Sequence, residues 1–126
     1  MNFFIVRQIP TLPPDAYDDR CPWDKKQTLE KWICDRVLKL TCTANDMLPL
    51  ARAAGFKEGV HKWKESERAD LRAELDAAYF HLYGISRDDA EYILSTFQGM
   101  SDKDEESFTP TSIASGILDA YDRLRP

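Results

Sequence analysis

Glycine is scarce in this sequence, with five in 126 residues and none gathered into a loop. A turn that cradles phosphate or a cofactor needs clustered glycines, so that backbone N–H groups can approach the ligand; that class of site is not expected. Histidine is scarcer, limited to His61 and His81, and no H-E-x-x-H or comparable spacing sets two ligands on one helix face. Cys21, Cys34 and Cys42 fit neither a C-x-x-C zinc pattern nor an even-numbered disulfide framework, and read as reduced thiols. No serine or threonine sits in a nucleophile elbow. No hydrophobic run reaches transmembrane length, and in MNFFIVRQIPTLPP the one basic residue follows the apolar run, the reverse of a signal peptide. A basic excess is missing too: 17 Lys and Arg stand against 22 Asp and Glu, a net charge of −5. Phosphate neutralisation supplies most non-specific nucleic-acid affinity, so the chain is a poor candidate for tight, independent DNA binding, with only weak contact through a local basic patch left open. The expectation is a soluble cytoplasmic protein with no catalytic, cofactor-binding or metal residue of its own.

What is present is one well-specified stretch, Leu71 to Phe97. Leu71, Leu75, Ala78, Tyr79 and Leu82 form one apolar stripe at helical spacing. Gly84 predicts a stop at about Tyr83, because glycine takes the left-handed conformation past a helix end without a Cβ clash. Ser86 then predicts an N-cap with Asp89 three residues on, and Ala90, Ile93, Leu94 and Phe97 rebuild an apolar face. The result is a tight helical hairpin, whose two arms are expected to pack on each other.

The rest of the chain reads in order. Residues 1–14 predict a short strand, Asn2 to Ile9, and a proline-rich connector through Pro10, Pro13 and Pro14. Residues 15–126 predict a helical domain that opens with a polar loop, Asp15 to Asp24, anchored by Tyr17 and Trp23. Thr28 caps a helix over Leu29 to Thr41 with Leu29, Trp32, Ile33, Val37 and Leu40 inward. A shorter helix capped by Asn45 or Asp46 follows and closes at Gly55 after Ala54. Phe56 to Trp63 is a loop. Gln98 to Phe108 is an acidic loop, and Thr109 with Pro110 opens a last helix striped by Ile113, Ile117, Leu118, Tyr121 and Leu124. The fold class is therefore mainly α: a small bundle of about five helices with a tight hairpin and one short N-terminal strand.

Candidate contact residues follow from charge and exposure. Lys62, Lys64, Arg68, Arg72 and Arg87 are the one basic cluster, suited to DNA phosphate or a partner, although interleaved Glu65, Glu67, Asp70, Glu74 and Asp76 favour pairing along the helix. Phe3, Phe4 and Trp23 are candidate interface residues, and the lone strand, with no partner strand in the chain, would pack over the helices or pair two copies. Asp88 and Asp89 lie in the first turn of a helix, where capping and the helix dipole account for them.

Three segments, NFFIVRQIPTLPP, ERADLRAELDAAYFHLYGISRDDAEYILSTF and ILDAYDRL, resemble in the same order the extreme C-terminal region of large adenine-specific DNA methyltransferases. These are type IIG-like restriction-modification enzymes and related phage-defence methylases. The pairing of L-R-A-E-L-D-A with H-L-Y-G-I/L-S-R-D-D is the specific part. In that family the S-adenosylmethionine site and the N-P-P-F/Y motif lie upstream, and neither is in this chain. The resemblance implies a non-catalytic tail supporting target recognition or docking on the enzyme core, with the strand completing a sheet of the recognition domain. It also implies a truncated reading frame, a separately encoded tail or an excised domain; the alternatives are a stand-alone interaction module, adaptor or inhibitor, and an inactive remnant. Where relatives carry basic residues in a Y-R-T-x-R-L pattern, this chain reads FTPTSIASGIL from Phe108, which weakens DNA contact by the last helix.

Overall fold

A computed structural model describes residues 3–97 and 110–126. Among these, six α-helices and one two-stranded antiparallel sheet are present: α1 (Phe3–Val6), β1 (Arg20–Cys21), β2 (Asp24–Thr28), α2 (Leu29–Thr41), α3 (Leu48–Ala53), α4 (Glu65–Leu82), α5 (Arg87–Thr96) and α6 (Pro110–Arg123). Short 3₁₀ turns at Pro14–Tyr17 and Asn45–Met47 lead into β1 and α3. The mainly α architecture agrees with the sequence reading. The acidic loop and the Thr109 cap lie outside the described residues.

The N-terminal strand does not form. Residues Phe3–Val6 make one helical turn, continued by hydrogen bonds from the Arg7 N–H to the Phe3 carbonyl (3.2 Å), Gln8 to Ile5 (3.0 Å) and Ile9 to Val6 (3.2 Å). The reason is the missing partner. A lone strand leaves its N–H and C=O groups unpaired, whereas a turn pairs them locally. The strands lie further on, inside the segment read as loop and cap: β1 and β2 pair Arg20 with Thr28 and Cys21 with Asp24 across an irregular register. This hairpin carries little hydrophobic alternation, since β2 reads DKKQT. Its role is to seat Cys21 and Trp23 on α2, where Trp23 meets Trp32 edge to face at 5.1 Å.

Helix ends follow local chemistry closely. The Thr28 hydroxyl accepts from the Lys31 N–H at 3.3 Å at the start of α2. Gly55 (φ 80°) ends α3 and Gly84 (φ 66°) ends α4. Each closes with the same pair of bonds: Phe56 N–H to Ala51 and Gly55 N–H to Arg52, then Ile85 N–H to Phe80 and Gly84 N–H to His81, all at 2.9–3.0 Å. Ser86 caps α5, accepting from the Asp89 N–H at 3.2 Å and donating to the Asp89 carboxylate at 2.8 Å. The thiols are free.

Three apolar clusters make the core, and the long helix α4 contributes to the first and third of them. Leu29, Trp32, Ile33, Cys21 and Ala78 form the first, with Tyr17 and Trp23 packed on it as anchors. Leu38, Cys42, Ala51 and Phe56 form the second, beneath α3. Ala73, Ala77, Ile117 and Ala120 form the third, between α4 and α6. Small side chains at that crossing let two helices lie close, which is why buried alanines outnumber large residues there. The hairpin arms do not pack chiefly on each other. α6 lies along α4 and against α5, and Leu94 of α5 reaches the cluster that α4 and α6 make. Val37 also departs from the expected inward face, at 40% exposure, and Leu38 is buried in its place.

Candidate interaction surface

The candidate basic residues do not form one patch. Arg68 is 6% exposed. Its Nη1 donates to the Leu40 carbonyl in the last turn of α2 at 2.8 Å, and its guanidinium lies 3.5 Å from the Trp63 ring centre. It ties α4 to α2 and offers nothing to a phosphate. Lys64 sits 3.7 Å from Glu67, and Lys62 is exposed. Arg72 is exposed beside Asp76. Arg87 starts α5, beyond the far end of an 18-residue helix, which at 1.5 Å per residue separates it from Lys64 by about 27 Å along the axis. There Arg87 Nε donates to Asp122 at 3.1 Å and its Nη1 to Glu91 at 3.3 Å. Pairing with an interleaved acid accounts for Lys64, whereas Arg87 pairs with Glu91 and Asp122, outside that set.

Asp122 also accepts from Arg125 at 2.9 Å. The Arg125 and Arg87 guanidiniums hold its carboxyl below the ordinary range. Asp76 is shifted the other way, raised by desolvation between packed helices even though its side chain still reaches solvent. Neither histidine has a ligand cluster around it, and no group of His, Cys, Asp and Glu suited to a metal occurs among the described residues. His81 Nε2 lies 2.9 Å from the Tyr121 carbonyl with its ring stacked on Tyr121 at 3.9 Å, and His61 lies 3.2 Å from Glu67.

The apolar candidates divide. Trp23 belongs to the edge of the first cluster, between Trp32 and His81, and is not a free interface residue. Phe3 and Phe4 are 80% and 70% exposed, followed by exposed Ile5, Val6 and Ile9. These side chains form one contiguous apolar run rather than scattered exposures. Sequence periodicity missed a second surface. Because α6 takes the place of α4 against α5, the arms leave an apolar groove of about 420 Å³ lined by Tyr79, Phe80, Tyr83, Ile93, Leu94 and Phe97, with Asp76 on its wall. Tyr83 bounds this groove and donates its hydroxyl to the Pro10 carbonyl at 3.1 Å, so the connector from the apolar turn runs along the groove's rim. A larger open depression of about 660 Å³ lies between α2 and the segment after α3, but charged Glu30, Lys31, Asp35, Lys57 and Glu58 line it and no convergent geometry accompanies them. No described helix is long and apolar enough to cross a membrane. Comparison with protein-family models, with curated proteins and with solved structures finds no match to this chain.

Proposed function

We propose that this chain is a non-catalytic helical docking domain related to the C-terminal region of adenine-specific DNA methyltransferases of the restriction and phage-defence type. Its role in this reading is to attach to the core of such an enzyme and support target recognition. The observation that carries the docking role is the exposed apolar run from Phe3 to Val6, joined to the helical body by the connector that Tyr83 holds at Pro10. Burying one large apolar side chain stabilises a contact by about 1.5–3 kcal/mol before ordering costs, so a run of four is a protein-binding element. DNA contact is secondary in this reading. Arg68 is turned inward, Arg87 is paired, and the net charge is −5.

A duplex titration at low salt tests the division of labour, run with the chain alone, with a methylase core lacking this region, and with both. The expected result is no binding by the chain alone, a stable complex of chain and core, and tighter duplex binding by that complex than by the core. Methyl transfer by the purified chain, or absence of any complex with the core, overturns the reading. The stand-alone interaction module is the second reading, favoured by three apolar clusters that close within this one chain. A complex formed with another protein and not with the core selects it.

A further inference from the structure

Two apolar features of one copy are exposed to solvent, and they meet at one point. The first is the turn Phe3–Val6, whose Phe3 side chain is 80% exposed with Ile5 and Val6 exposed beside it. The second is the groove between α4 and α5. Tyr83 belongs to the groove and is hydrogen-bonded to Pro10, so the chain delivers its own apolar segment to the groove's rim without filling the groove. Pro10, Pro13 and Pro14 fix φ at three positions, so the connector between the turn and the body is stiff.

We propose that the groove is filled by the Phe3–Ile9 segment of a second copy, each chain giving its segment to the other across a two-fold axis. The size is adequate. A cavity of about 150 Å³ takes one benzene ring, and this groove measures about 420 Å³. Charge agrees as well: the segment carries Arg7, and the groove wall carries Asp76. Exchange of identical segments is self-complementary, so one kind of contact made twice covers all the apolar surface named here and closes the assembly at two. This pairing goes beyond docking on a methylase core and needs no core to form.

Sedimentation velocity on the isolated chain across a range of concentrations tests it, and with no core present its outcome is separate from the core-binding titration. The wild-type chain should pass from one to two copies of its 14.5 kDa mass as concentration rises. The double substitution Phe3→Asp/Ile5→Asp and the single substitution Phe97→Glu change exposed positions, so each should keep the wild-type circular dichroism while weakening dimerisation at least tenfold. Mixing the two variants should restore dimers, since one intact segment then meets one intact groove. A wild-type chain that stays monomeric at every concentration overturns the proposal. So does a dimer indifferent to either variant, which would place the contact elsewhere, or a monomer whose melting temperature falls with Phe3→Asp/Ile5→Asp, which would mean that the segment fills its own groove.

Discussion

Arg68 is a charged side chain held at 6% exposure, and its position is a matter of a single carbonyl. The last turn of a helix presents carbonyl groups without partners and the negative end of the dipole, and Arg68 supplies α2 with a cation and a donor at Leu40. Its Trp63 contact adds a cation–π attraction. Arg68→Ala is expected to lower stability by about 1.5–3 kcal/mol, the range for a hydrogen bond from a charged group, in urea or thermal unfolding. Duplex binding should not change. Arg68→Lys should recover only part of the loss, because an ammonium lacks the planar fork that reaches the carbonyl while stacking on the ring. Asp122 gives the chain a pH dependence of definite sign. Its folded pKa is depressed by Arg125 and Arg87, so its contribution is present above the unfolded aspartate value of about 3.9 and is lost as pH falls through the folded value. Wild type should therefore lose more stability between about pH 5 and pH 2 than Asp122→Asn does, by a small margin because these pairs are solvent-screened. Equal acid sensitivity of the two proteins would remove Asp122 from the account.

Two helices in this molecule, α3 and α4, end where a glycine compels them to. Gly84 at φ 66° lies in open space, with no atom within 4 Å of where a Cβ would stand. The cost of Gly84→Ala is then purely that of a left-handed backbone, about 1 kcal/mol, and Gly84→Asn should cost less; chemical denaturation with unchanged slope measures both. The same logic made Thr28, Gly55 and Ser86 readable from sequence, since a cap or a stop is decided by neighbours within a few residues. Strands are decided otherwise. The run from Phe3 to Ile9 has strong β-formers yet adopts a helical turn, while the polar DKKQT segment pairs with β1. Strand formation requires a second strand in register, and β-propensity by itself does not supply one.

At the scale of the whole molecule, α6 decides the shape. It packs on both α4 and α5, so the hairpin is held open from one side and left grooved on the other. Ala120, fully buried at this crossing, is sensitive to added bulk. Ala120→Leu adds three carbons where there is no room and should destabilise by about 1–3 kcal/mol. It should also reduce amide-exchange protection in α5 more than in α2, because α5 is held chiefly through α6. Uniform loss of protection across the helices would mean that α5 has other support.

The sequence by itself determined where α2 to α5 lie, the Thr28 and Ser86 caps, the Gly55 and Gly84 stops, and that acid residues interleave the basic ones; each of these is fixed within one or two helical turns, whereas the expected Asn45 or Asp46 cap of α3 does not form. Only the tertiary structure decided which way Arg68 points, that Trp23 belongs to a core rather than an interface, and that the hairpin's second arm leans on α6. Those outcomes depend on which element lies across from which. A stripe of apolar residues says that a face is covered, and only the folded chain says by what.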